Sequence, residues 1–261
     1  MNDYRTIEVS RAGGTTRITL ARPDIRNAFD EVLIAELTAA LSTVAGDAGA
    51  RVVVLTGKGK AFCAGADLAW MGKMKDYTYD ENLADSLALA KLMRTLFDLP
   101  IPTIAAVNGP AIGGGNGLVA ACDIAIAAES AVFSLSEVKL GLVPACIGPY
   151  VIRRIGERVA RELFLTGRRI GAARAAEIGL VNEAVPDDRL AGRVEEWVRD
   201  LASSGPEALR ICKELISRTP GMDLDEAGRF TAEMIARLRI GREAQEGIAA
   251  FFGKRKPRWA E

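Results

Sequence analysis

An α/β core followed by a helical tail is the architecture that this sequence predicts, on three observations. Short apolar or β-branched runs at residues 6–9, 16–20, 52–56, 104–107, 124–127 and 132–135 read as strands. Segments with apolar residues at helical spacing lie between them. After Asp187 only helical periodicity remains, which places the core at about residues 1–200 and a helical region at 201–261.

The first two runs are split by the turn Ala12-Gly13-Gly14. In RPDIRNAFD, Pro23 stops the strand, and Asn27 with Asp30 three residues on suits a helix start. Phe29, Leu33, Leu37, Leu41 and Val44 then recur at helical spacing, giving one buried face. The run 52–56 has no polar interruption until its end, as a strand covered on both sides would have. It leads into TGKGKAFCAGAD, a loop of Gly and small residues where backbone approaches a ligand closely. Leu83, Leu87, Ala90, Met93 and Phe97 predict a second amphipathic helix, stopped by Pro100 and Pro102. The buried strand 104–107 runs into NGPAIGGGNGLVAACD, in which a glycine cluster opens into a small-residue helix around 118–122. In the tail, Pro206 suits a first helical turn, Met234, Ile235 and Leu238 line part of another helix, and the end is basic (Lys254, Arg255, Lys256, Arg258).

Composition removes whole classes of function. The 261 residues are 49% hydrophobic, enough to bury a full core. The 34 Lys and Arg balance 34 Asp and Glu, so no bulk attraction to nucleic acid or an anionic membrane is expected. No apolar run reaches bilayer-spanning length. The start, MNDYRTIEVS, carries neither a signal nor a transit pattern, and the four dispersed cysteines read as reduced thiols, so a cytoplasmic location is expected. There is no histidine, which excludes Ser-His-Asp and Cys-His nucleophile systems, His-ligated zinc and imidazole acid/base chemistry. Proton transfer falls to carboxylates, Lys, Tyr, Cys or the substrate itself.

Two small-residue loops, 62–67 and 108–117, each follow a buried strand. Glycines at the mouth of a helix leave backbone N–H groups unpaired at its positive end, where they stabilise an oxygen gaining negative charge. One N–H from each loop would grip a carbonyl oxygen as it becomes an enolate; the plainer alternative is that the glycines only permit tight turns and close packing. A nucleotide-binding reading is discounted, because GPAIGGGNG lacks the P-loop lysine and its loose GxGxxG match has no acidic residue following in the expected strand context.

The segments KAFCAGADL and VNGPAIGGGNGLVAACDIAIAAESAVFSLSEVKLGLVP, with RPDIRNAFD near the start and EGIAAFFGKRKPRW near the end, resemble the crotonase (enoyl-CoA hydratase/isomerase) superfamily. The resemblance runs from about Ile7 to Trp259. It implies a spiral of ββα units followed by a helical trimerisation region, assembling as a homotrimer or a homohexamer of two trimers. It also implies an acyl-CoA thioester as substrate, with coenzyme A entering as part of that substrate and no separate cofactor. By the same resemblance the oxyanion amides fall on Ala66 and Gly114. Arg26 and Lys60 match positions near the coenzyme A phosphates and adenine, as do Ala64, Asp67 and Leu68 through their backbone. Lys254 and Lys256 of the basic end are within the range expected for the 3′-phosphate, of the same or a neighbouring subunit, the plainer alternative being a solvated basic tail.

Hydratases of this family typically use two glutamates. One position matches Glu137, in an apolar context that should raise its pKa. The other is Gly117, which cannot do acid/base work. A lone carboxylate fits two chemistries: migration of a 3-enoyl double bond by one base, or hydration of an enoyl thioester whose own carboxylate helps position water in the space expected at Gly117. CAGADLAWM and LSEVKLGLVPACIGPYVIRRIGERVAREL are similar to bacterial hydratases of branched enoyl-CoAs of the 3-methylglutaconyl type, which favours hydration. A non-catalytic acyl-CoA binder is the third reading. Glu81 and Asp85 are the other carboxylates near the expected acyl pocket, and Cys63 and Cys146 lack an activating base and read as small packed residues.

Overall fold

A computed structural model describes residues 4–260; the first three residues of the MNDYRTIEVS segment lie outside them. In chain order the regular elements are β1 (Ile7–Ala12), β2 (Thr15–Leu20), α1 (Glu31–Ala45), β3 (Val52–Gly57), α2 (Leu68–Met74), α3 (Tyr79–Phe97), β4 (Thr103–Val107), β5 (Ala111–Ile112), α4 (Gly114–Ala121), β6 (Ile124–Ala128) and β7 (Val132–Ser134). They continue with α5 (Gly148–Thr166), β8 (Arg169–Gly171), α6 (Ala172–Glu177), β9 (Glu183–Val185), α7 (Leu190–Ala202), α8 (Pro206–Arg218), α9 (Leu224–Ile240) and α10 (Arg242–Phe252).

β1 and β2 form an antiparallel hairpin in register from Ile7 opposite Leu20 to Ala12 opposite Thr15. Its turn residues, Gly13 (φ 55°) and Gly14 (φ 81°), take the left-handed backbone that a tight hairpin turn needs. The larger sheet runs β1-β2-β3-β4-β6-β9, parallel from β2 onward, and a smaller one runs β5-β7-β8. The chain gives one strand to each sheet before each helix, β4-β5-α4 and then β6-β7-α5, which is the ββα spiral expected.

Alternation along the strands explains why the larger sheet is covered on both faces. Val53 and Leu55 join the main core with Leu33, Leu37, Leu92, Leu96, Leu118 and Val151 from α1, α3, α4 and α5. Val52, Val54, Ile104 and Ile126 face the other way, against Leu190, Val194 and Val198 of α7.

Two expectations need correction. Helix α1 starts at Glu31, because Asp30 is the residue whose carboxylate accepts the Leu33 amide (2.9 Å). Asn27 is fully buried instead and ties the chain together, accepting from the Arg22 amide and donating to the Lys58 and Ala61 carbonyls. Phe29 therefore precedes the helix rather than lining it. In α3 the buried residues are Leu92, Met93 and Leu96, while Leu83 and Leu87 are exposed, so only its C-terminal half packs on the core.

The C-terminal helices are held to the core by polar clasps. Lys213 of α8 donates to Asp123 (2.6 Å), and Arg51 donates to the carbonyls of Ala202, Ser204 and Trp259. Helices α8 and α9 contain no buried residue, and Ile216, Leu224, Ile240, Phe251 and Phe252 of α8–α10 are exposed. Among the described residues no helix is long and apolar enough to cross a membrane.

Candidate active site

The two glycine-rich loops lie side by side because the strands before them do. β3 and β4 are parallel neighbours, and Asn108, just past β4, donates to the Gly57 and Gly59 carbonyls while accepting from the Gly57 amide. Further along, Cys63 and Ala111 form a parallel bridge, with the Cys63 amide on the Pro110 carbonyl (3.1 Å) and the Ile112 amide on the Cys63 carbonyl (2.9 Å). Ala66 and Gly114 stand at the same offset beyond this bridge. Gly65 is at φ 87°, and a Cβ there would lie 2.9 Å from the Ile112 carbonyl oxygen, so only glycine lets the loops close at this point.

The amide of Ala66 is turned outward by a second bridge. Phe29 donates to the Gly65 carbonyl (2.7 Å) and accepts from the Asp67 amide (2.8 Å), so its bonds go to the residues flanking Ala66. In a parallel bridge the intervening N–H then points to the other side. Gly114 opens α4, after Gly113 at φ 50° and ψ −121°. Among the described residues neither the Ala66 nor the Gly114 amide donates a hydrogen bond within the chain. Two adjacent unpaired amides, one of them at the positive end of a helix, make a site for an oxygen that becomes an anion.

Glu137 comes to the same place. It follows β7, and its Oε1 would lie 3.1 Å from a Cβ built on Gly113. The approach is set by the Ser134 carbonyl, which accepts from both the Gly113 amide and Asn116 Nδ2 (2.8 Å each), while Nδ2 also donates to the Ala111 carbonyl (2.9 Å). Burial pushes the Glu137 carboxyl above the usual carboxylate range, opposed only by its own amide. Its Oε2 is buried with no hydrogen-bond partner. An unsatisfied acceptor in such a place is costly unless another group completes it.

The space expected at Gly117 is filled. A Cβ on Gly117 would overlap Cγ2 of Ile147, lie 2.8 Å from its Cβ, and come 3.2 Å from Met93 Cε. Gly117 thus packs beneath Ile147 on the side where a side chain would stand. The polar groups of Asp67 have partners within the chain. Its amide is taken by Phe29, its carbonyl by the Met71 amide, and its carboxylate caps α2 through Ala69 (2.8 Å) and meets Arg22 (3.0 Å). Burial pushes this carboxyl up, but the Ala69 and Trp70 amides and Arg22 together hold it below the usual value.

Arg26 is exposed with a left-handed backbone (φ 54°), and its carbonyl accepts from the Ala64 amide (3.0 Å), which puts both at the edge of the first loop. Lys60 is exposed, with its backbone packed under Gly109 of the second loop. Leu68, at the start of α2, is 83% exposed. Lys254 is tied to α10 through its amide on the Phe251 carbonyl (3.2 Å) and not to either loop. Glu81 is occupied in a capping box with Thr78, and Asp85 sits beside Glu31. Burial pushes the Cys63 thiol up to about 12 and raises that of Cys146, so neither is a ready nucleophile. Among the described residues no group of His, Cys, Asp or Glu forms a metal site.

A family model described as enoyl-CoA hydratase/isomerase matches residues 10–261. The chain belongs to that family, an enzyme family, and has its crotonase fold. The solved structure of an enoyl-CoA hydratase from Shewanella pealeana superposes with a TM-score of 0.95 at 41% identity, covering 98% of this chain and 97% of the other. The enoyl-CoA hydratase from Bacillus anthracis gives a TM-score of 0.91 at 37% identity, covering 98% of this chain and all of the other (100%). The Alternaria alternata protein named enoyl-CoA hydratase AKT6-1 is 37% identical over 258 residues, 97% of this chain and 84% of its own.

Sequence reasoning about this family member missed three residues of the site. Ile147 lies far from Gly117 in the chain, and no local pattern pairs them. Asn116 is marked only as a polar residue among glycines and apolar neighbours. Phe29 is hidden by a spacing that fits the following helix by coincidence.

Proposed function

We propose that this enoyl-CoA hydratase/isomerase family member is a hydratase-type lyase acting on a short, branched or carboxylated enoyl-CoA. The thioester oxygen is held by the Ala66 and Gly114 amides. Glu137 takes a proton from water, the oxygen of that water bonds to the β-carbon, and the 2,3 π-pair moves to make the enolate. The protonated Glu137 then returns a proton to the α-carbon, which restores both the carboxylate and the thioester. No cofactor is needed, since coenzyme A enters as part of the substrate.

The observation that carries this reading is the buried, unpartnered oxygen of Glu137 beside two unpaired amides, one of them at a helix terminus. A water or an α-carbon proton completes that acceptor. Hydration is supported by the hydratase names of the similar proteins, and the branched substrate by the CAGADLAWM and LSEVKLGLVPACIGPYVIRRIGERVAREL segments. The exposed apolar residues of α8–α10 support assembly as a trimer or a hexamer, which light scattering tests.

One observation favours a second reading. With Ile147 and Met93 filling the position of a second carboxylate, a single base that moves a proton from the α- to the γ-carbon fits equally, giving an isomerase. Following the conjugated-thioester absorbance separates the two. Loss of absorbance with 3-methylglutaconyl-CoA is the expected result for hydration. A rise with a 3-enoyl-CoA and no loss with any 2-enoyl-CoA would replace it with isomerisation.

A further inference from the structure

We infer that Phe29 is a positioning residue that sets the separation of the two oxyanion amides, its main chain holding one and its ring the other. This rests on the proposed role of the Ala66 and Gly114 amides. Phe29 lies in the extended segment before α1 and is 1% exposed. Its amide and carbonyl bond to Gly65 and Asp67, which fixes the orientation of Ala66 between them. Its ring edge rests on the α-carbon of Gly114: a Cβ built there would overlap Cε2 and lie 2.7 Å from Cζ. One rigid residue therefore spans both halves of the site.

The two attachments respond differently to substitution. The main-chain bridge survives any side chain except that of proline, which has no N–H to give, whereas the ring contact disappears when the ring does. Without the ring, the start of α4 is free to settle toward the first loop, since cavities in packed interiors are partly filled by such shifts. Oxyanion donors act only over a narrow range of distance, and a displacement of about 1 Å costs about 10²-fold in rate. Gly114 is not at positive φ, so an alanine there is opposed by the ring and not by its own backbone.

The test is a cycle of Phe29→Ala, Gly114→Ala and the double variant. Phe29→Ala should lower kcat roughly 10–100-fold with KM changed less than about twofold, because the ring meets Gly114, whose amide is the proposed oxyanion donor. Gly114→Ala should lose about 10²–10³-fold as its amide is pushed aside. The double variant should turn over at least about tenfold faster than Gly114→Ala, since removing the ring makes room for the new methyl. A double variant no faster than Gly114→Ala overturns the inference. Should Phe29→Ala not fold, Phe29→Leu completes the same cycle. Bound cinnamoyl-CoA separates the two levels of the proposal through the red shift of its absorbance as the carbonyl is polarised. No shift with the unsubstituted enzyme overturns the oxyanion reading itself. A full shift retained in Phe29→Ala overturns only the role of Phe29.

Discussion

Gly117→Ala is the substitution whose outcome depends most on how the site is packed. On helix propensity alone it should stabilise, since alanine in a helix interior is favoured over glycine by about 1 kcal/mol. The structure opposes this. The new methyl would overlap Ile147 Cγ2 and stand 2.8 Å from Ile147 Cβ, and Met93 Cε closes the remaining side at 3.2 Å. Ile147 is 3% exposed and β-branched, so it has no free rotamer to turn into. Overpacking of this kind costs about 1–3 kcal/mol, and two contacts closing on one methyl place the cost toward the upper end. The net effect is a loss of about 1–2 kcal/mol, or a Tm lower by roughly 2–8 °C for a chain of this size. Differential scanning calorimetry at fixed protein concentration measures it, with Gly117→Ala/Ile147→Ala as the relief variant. The double variant should lose less than the sum of its parts by at least about 1 kcal/mol. A Tm for Gly117→Ala at or above that of the unsubstituted protein would refute the packed site and reopen the space for water or a carboxylate.

Other consequences follow from the buried groups. Glu137 must be ionised to take a proton, and burial raises its pKa, so kcat/KM should fall on the acid side at a pH above the ordinary carboxylate value of about 4.3, as a pH–rate profile would show. An acid limb at or below that value would contradict the buried position. The same shift has a stability consequence: a raised folded-state pKa means that stability is lost as pH rises from the unfolded to the folded value. Glu137→Gln should therefore match or exceed the parent Tm at neutral pH, and the difference should vanish in acid. Cys63 and Cys122, buried with thiols pushed up to about 12, should resist iodoacetamide in the folded protein while exposed Cys212 reacts, as peptide mass spectrometry would record. Early labelling of Cys63 would contradict the closed bridge between the two loops.

The inner strands β3, β4 and β6 were legible in the sequence because they are the continuous β-branched or apolar runs that a covered parallel sheet requires, whereas the edge strand β9, three residues beginning with Glu183, has no such run and was not. The two loops were legible because close backbone approach leaves glycine as its trace, and the φ of Gly65 and Gly113 bears that out. What sequence could not convey is which side chain occupies the space a glycine leaves. Gly117 looks vacant in the chain and is filled in the fold by Ile147, thirty residues on. Asn27 looks like a helix cap because its chemistry suits one, yet its amide is consumed by the Arg22, Lys58 and Ala61 main chain and Asp30 takes the cap. Leu83 and Leu87 have helical spacing without burial, since spacing records a face but not what covers it. Asp67 matched a binding position, while in the fold its amide goes to the Phe29 carbonyl, its carbonyl to the Met71 amide and its carboxylate to Ala69 and Arg22.

Titrating an acyl-CoA thioester into Glu137→Gln, and measuring its turnover beside the unsubstituted enzyme, tests the central claim most directly. The account predicts that turnover falls by about 10²–10⁴ while the dissociation constant changes little, because the amides of Ala66 and Gly114 still hold the carbonyl and only the proton carrier is gone. Turnover equal to that of the unsubstituted enzyme would contradict it, as would loss of binding together with activity.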